Sequence, residues 1–188
     1  ILKDLELKLV KVIDTHIHAD HISGLNELNK QTECTRIMGE ESESEVIDLR
    51  VKENEKVKIE GLELITLYTP GHTKCSYSYL MNDRVFTGDT LLINGSGRTD
   101  FQGGSAMEQY DSIFNKLLKL PDKTLVYPAH DYNGKKFSTV ENERNNNPRL
   151  QVSSPDEYIQ IMNNLKLARP QTMDVNISAN IKGLALNN

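Results

Sequence analysis

Five histidines occur in the 188 residues, and three of them fall inside DTHIHADH, residues 14–21, beside Asp14 and Asp20. Imidazole and carboxylate together are the ligands of zinc, iron and manganese. His16, His18, Asp20 and His21 cannot all point one way on a helix or a strand, whose side chains repeat every 3.6 or 2 residues. On a tight loop they can surround one or two ions. The other two histidines stand far along the chain, His72 in TPGHT and His130 in YPAHDY, and a further carboxylate, Asp89, closes FTGD. Any one of these taken alone would read as an exposed or hydrogen-bonded side chain. Taken together with the octapeptide they read as a metal site. Cys34 and Cys75 have no metal-like spacing and are too few for a disulfide framework, so they are read as small buried side chains.

Each of these groups sits where an apolar run ends. Leu9–Ile13 leads into the octapeptide, and Val57–Thr69, alternating around Glu60-Gly61, reads as a hairpin that leads to His72. Ser76–Met81 and Arg84–Thr87 are strands separated by the Asn82-Asp83 turn, the second leading to Asp89. Leu125–Tyr127 is a strand leading to His130. Loops at strand ends on one edge of a sheet can converge, which is how α/β proteins build sites. A helix is expected to begin near Ser23. Three capping boxes, at Ser105–Glu108, Ser138–Glu141 and Ser154–Glu157, start later helices. In the first of these, Met107, Tyr110, Phe114, Leu117 and Leu118 line one face. The second must end by Asn147, ahead of Pro148, and the third has Pro155 at its favoured first position. NGSGRTDFQGG, residues 94–104, is a glycine-rich loop whose glycines are expected to permit turns. The acidic ESESE at 41–45 reads as a solvated loop. The pattern gives a layered α/β protein of one domain over 1–188, with 151–188 forming a carboxy-terminal helix and tail packed on it.

Composition narrows the function. A net charge of −5 offers no basic excess to meet phosphate, which argues against nucleic acid or an anionic membrane as partner. Trp is absent and aromatics are few, so base-stacking platforms are not expected. No apolar run approaches the roughly 20 residues that span a bilayer. With no visible signal peptide and no disulfide framework the expected setting is intracellular, cytoplasmic in a bacterium.

THIHADH, TPGHT, FTGD and PAHDY, in that order, resemble the metallo-β-lactamase superfamily, which implies an αββα sandwich with a metal site at one edge of its two sheets. RVFTGDTLLINGSGRTDFQGG, YPAHDYNG, STVENERNNNPRL and IMNNLKLARPQTMDVNISAN are similar to the persulfide dioxygenases within it. The resemblance runs from Lys11 to Asn180. It implies one ferrous ion held by His16, His72 and Asp89, with glutathione persulfide and dioxygen as substrates, sulfite and thiol as products, a mitochondrial setting in a eukaryote, and a homodimer left open. His18, Asp20, His21 and His130, which hold a second metal in related hydrolases, would here orient ligands. Arg98 and Tyr132 would sit near the site mouth, with Arg98 gripping a glutathione carboxylate or pairing with Asp100 or Asp131. The alternatives are a glyoxalase II-type thioesterase with one or two zinc ions, and a metal-poor scaffold. Family members have several dozen residues before the first metal loop, so strands of the first sheet are expected to be lacking.

Overall fold

The computed structural model describes residues 2–184. The chain begins with a three-stranded parallel sheet. β1 (Lys11–Ile13) pairs with β2 (Thr35–Gly39), after the helix α1 (Leu25–Thr32), and β2 pairs with β3 (Leu49–Val51). A second sheet follows, built from β4 (Lys56–Ile59), β5 (Leu62–Tyr68), β6 (Tyr77–Leu80) and β7 (Arg84–Gly88). The Glu60-Gly61 hairpin forms as expected, and Gly61 takes φ +80°, a left-handed conformation that glycine adopts without strain. A two-residue ribbon, β8 (Leu91–Leu92) with β9 (Gly95–Ser96), lies within the glycine-rich stretch. Then come α2 (Ala106–Asp111), β10 (Leu125–Pro128), β11 (Ser138–Thr139), α3 (Val140–Asn146), α4 (Pro155–Asn163) and α5 (Met173–Lys182). β10 joins the second sheet parallel to β7, giving the order β11-β10-β7-β6-β5-β4.

Three apolar clusters divide the molecule into four layers. Ile37 and Val51 of the first sheet meet Val57, Tyr77 and Tyr79 of the second. Val85 and Val126, on the other face of the second sheet, pack on Ile113, Leu117, Val140 and Tyr158 from the helical side. Met38 and Val12 pack on Leu25 of α1 and on Ile177 and Ile181 of α5. The order is therefore helix, sheet, sheet, helix, the αββα sandwich that the motifs imply. Each fully buried aliphatic side chain contributes roughly 1.5–3 kcal/mol to holding these layers together.

Several local expectations are corrected. Ser105 and Ser154 cap their helices, accepting from the backbone N–H of Glu108 and Glu157. The middle cap is Thr139, not Ser138: Ser138 is paired to Val126 in the sheet and its hydroxyl donates to Glu143, so the next hydroxyl takes the end of α3. Met107 is half exposed rather than facing the core. α2 continues through a π turn at Ser112–Lys116 and a 3₁₀ turn at Leu117–Lys119. Within the acidic stretch Ser42 and Ser44 are buried, and Arg50 donates to both of their carbonyls. β2, β3 and α5 had no clear sequence signal. Of the expected carboxy-terminal tail, residues 185–188 lie outside the described residues.

Candidate metal centre

Strand direction brings the distant ligands together. β5 and β7 are each antiparallel to β6, so they run the same way, and β10 runs with β7. The carboxyl ends of all three strands therefore share one edge, and they deliver His72, Asp89 and His130 there. The octapeptide arrives from the first sheet. It is stitched to the second where Tyr77 N donates to Thr15 O at 2.8 Å and the Tyr79 hydroxyl donates to Asp14 O at 2.9 Å.

His16, His72 and Asp89 each offer one ligand atom, and the three lie within 4.8 Å of one another. His72 Nδ1 faces the Arg98 carbonyl at 2.8 Å, and its Nε2 stands 3.6 Å from Asp89 Oδ2. A ring nitrogen held by a carbonyl fixes the tautomer and frees the other for a metal. His16 Nδ1 is likewise held, by the Thr15 hydroxyl at 2.9 Å. Burial, aided by the other histidines, pushes the His16 pKa well below the usual imidazole value, and burial lowers His72 despite the nearby Asp89. Both rings are thus neutral near pH 7, the form that ligates. Backbone crowding has the same origin: a Cβ on Gly97 would lie 2.1 Å from the Asp89 carbonyl oxygen and 2.8 Å from His72 Nδ1. Gly97 is there for close approach, not for a turn as expected.

His18, Asp20 and His21 form a second group within 4.8 Å, largely exposed except for His18. His18 Nδ1 is buried with no hydrogen-bond partner. His130 joins the two groups, with Nδ1 2.7 Å from Asp89 Oδ1 and Nε2 3.0 Å from Asp20 Oδ2. The hydrogen bond to Asp89 raises its pKa to about 9. The donor set fits a metal ion: two neutral imidazoles and a carboxylate converge, and a buried imidazole nitrogen beside them lacks a partner.

A cleft of about 500 Å³ opens over this centre, lined by His72, Asp89, Arg98, His130, Tyr132 and Arg149. Tyr132 is 85% exposed, its ring stacked parallel to His130. Asp131 turns inward on its own loop, accepting from the N–H groups of Asn133 and Lys135. Of the two pairings open to Arg98, the one found is with Asp100, through two bonds of 2.6 Å. Arg98 also donates to the carbonyls of Leu167 and Ala168 and lies over the Phe101 ring. Arg149, which sequence reasoning did not single out, is different. It donates to Ser96 O and has no carboxylate within 4.0 Å among the described residues. Burial lowers its pKa. It was legible only as part of NPRL.

Also missed was the network behind the centre. The Tyr158 hydroxyl donates to Gln109 Oε1 at 2.8 Å, and Gln109 Nε2 donates to Gly97 O at 3.0 Å. Glu143, fully buried, accepts from Asn94 N and Asn147 Nδ2. These bonds hold the backbone on which His72 leans.

Comparison with known proteins agrees with this geometry. Residues 2–130 match the family model of the metallo-beta-lactamase superfamily. The mouse protein named persulfide dioxygenase ETHE1, mitochondrial, is 42% identical over 97% of this chain, which spans 72% of that protein. The crystal structure of ETHE1 from Myxococcus xanthus superposes with a TM-score of 0.93 at 44% identity, covering 96% of this chain and 80% of that one. A hydroxyacylglutathione hydrolase from Dictyostelium discoideum is 36% identical over 75% of this chain and 56% of its own length. The chain belongs to the metallo-β-lactamase superfamily and, within it, to the persulfide dioxygenase family.

Proposed function

We propose that the chain is an iron-dependent persulfide dioxygenase acting on glutathione persulfide. The observation that carries this is the convergence of His16, His72 and Asp89, two imidazoles and one carboxylate, the ligand set of non-haem ferrous oxygenases. A single ferrous ion held by these three would supply a redox-active centre for the persulfide sulfur and dioxygen. Overall, one persulfide, one dioxygen and one water give one thiol and one sulfurous acid, which ionises to sulfite. The outer sulfur is oxidised, dioxygen is reduced, and the sulfur–sulfur bond breaks.

The chain's own residues would set the geometry. The Arg98 carbonyl holds the His72 ring through Nδ1, and His130 holds Asp89 through Oδ1, leaving Oδ2 for the metal. Arg149 is the group we assign to the substrate carboxylate. Its guanidinium lines the cleft without a carboxylate partner among the described residues, whereas Arg98 is already taken by Asp100. A carboxylate there would be met by paired N–H donors. Tyr132 lies at the cleft mouth and offers a hydroxyl to the glutathione backbone.

The rival reading is a zinc thioesterase, in which a metal-bound hydroxide attacks a glutathione thioester. The second group, His18, Asp20 and His21, favours it, since it could hold another ion. Metal analysis with an oxygen electrode separates the two. One iron per chain and oxygen uptake with glutathione persulfide are expected. Two zinc ions and hydrolysis of a lactoyl thioester without oxygen uptake would overturn the dioxygenase reading. A chain that takes no metal after anaerobic reconstitution with ferrous iron would leave only a scaffold role.

A further inference from the structure

The loop carrying His16, His18, Asp20 and His21 has no regular secondary structure. Its carbonyls are nevertheless occupied. Gln102 Nε2 donates to Ile17 O at 2.9 Å, and Asn176 Nδ2 donates to Ala19 O at 3.0 Å. Asn180 Nδ2 donates to both His18 O at 2.8 Å and His21 O at 2.9 Å. Three side-chain amides thus hold four of the five carbonyls from Ile17 to His21. They come from the glycine-rich stretch and from α5, about eighty and a hundred and sixty positions away along the chain. Asn176 and Asn180 are four residues apart, so they stand on one face of α5. Asn176 is buried and is also bonded to Thr172 Oγ1. Asn180 cannot be turned over: its nitrogen meets two carbonyls while its Oδ1 accepts from Ser23 N at 2.8 Å.

We propose that Asn176, Asn180 and Gln102 are positioning residues for the metal centre, a clamp that fixes the first ligand loop and thereby its affinity for the ion. The inference rests on the reading that His16, His72 and Asp89 hold a metal. With four of its carbonyls tied to these amides, the backbone of residues 17–21 is held in one course beside His16. A neutral amide does this without adding positive charge next to a cation, which a lysine or arginine would do. A carbonyl left without its donor is costly when buried, so the loop has one favoured shape only while α5 is docked. By linkage, whatever the clamp adds to metal affinity the metal returns to the docking of α5.

The test uses the full chain and cobalt(II) as the probe, because its visible spectrum reports the ligand set independently of turnover. Asn180→Asp keeps the size and the acceptor for Ser23 N but places an oxygen against two carbonyl oxygens. Gln102→Met keeps the length and removes the amide, whose hydrogen bond is the one to Ile17 O, from a different segment, should the first variant fail to fold. Each is expected to weaken cobalt(II) binding about ten- to hundred-fold. The cobalt bands should also shift, while circular dichroism keeps the native shape. Asp174→Ala, on the exposed side of α5, serves as the control and should change neither. Asn176→Ala, which removes one bond to the loop and the bond to Thr172 Oγ1, should weaken binding as well. Folded variants with the parent affinity and spectrum would overturn the clamp. A parent chain that binds neither cobalt(II) nor ferrous iron would instead overturn the metal reading itself.

Discussion

The two sides of the centre are built in opposite ways. The octapeptide packs four ligand-type side chains into six positions, yet only His16 joins the triad. His72 and Asp89 arrive singly from strand ends, and both join it. The octapeptide has irregular backbone held by side-chain amides from remote segments. His72 and Asp89 stand on a sheet edge backed by the buried Gln109–Tyr158 network. Density of ligand-type residues in sequence is therefore no guide to which of them converge with the strand-end groups. What decides it is where the backbone is anchored.

The sharpest way to break this contrast is to remove ligands from each side. His72→Ala and Asp89→Ala should abolish metal binding and oxygen uptake together, and His16→Ala should match them. His21→Ala, whose side chain is half exposed, should leave one ion per chain by metal analysis. A fall from two ions to one would mean that both groups are occupied, and the asymmetry would vanish.

The next largest effect lies behind the strand-end side. Gln109→Ala leaves the Gly97 carbonyl without its amide donor and the buried Tyr158 hydroxyl with Ser96 Oγ alone, which should cost about 1–3 kcal/mol in denaturant unfolding. It should also loosen the His72 tether and so lower metal affinity. Unchanged stability would show that the network is replaceable by water.

The two arginines of the cleft sharpen the picture on a smaller scale. Arg149→Gln should raise KM for glutathione persulfide about tenfold with kcat nearly kept, the signature of a lost carboxylate contact. Arg98→Gln should reduce thermal stability more than it alters KM, because its charge is spent on Asp100. The reverse pattern would return the substrate role to Arg98.

The smallest effect is acid dependence. The Arg98 hydrogen bonds hold the Asp100 carboxyl below its usual range. A carboxylate whose folded pKa is depressed contributes stability above the unfolded value near 3.9, and that contribution is lost as pH falls through the lower folded one. Unfolding measured below about pH 4 should therefore be less steep in pH for Asp100→Asn. The ion pair is half exposed, so the change will be slight.

The chemistry was more legible than the architecture that holds it. Metal ligation needs a few rare residue types, so five histidines and their strand-end context point to a centre without knowledge of the fold. β5, β6 and β7 were legible because alternation and turn residues are local signals. β2 and β3 are strands of only five and three residues in a parallel sheet, too short for alternation to show. α5 has only a weak apolar face, since two of its inward positions are asparagines serving the loop. Met107 fits the helical spacing of its neighbours, but α2 widens into a π turn after Asp111 and that spacing no longer marks one face.

By itself the sequence determined the ligand types, the strand ends that present them, and the layered α/β character, all of which follow from side-chain chemistry and short-range periodicity. The tertiary structure brought His16, His72 and Asp89 together as the family resemblance implied, and it alone decided that Arg98 is bound to Asp100 while Arg149 has no carboxylate partner among the described residues, and that three amides hold the first loop. Those outcomes depend on contacts between groups up to about a hundred and sixty positions apart, and no local pattern records which distant donor will meet which carbonyl.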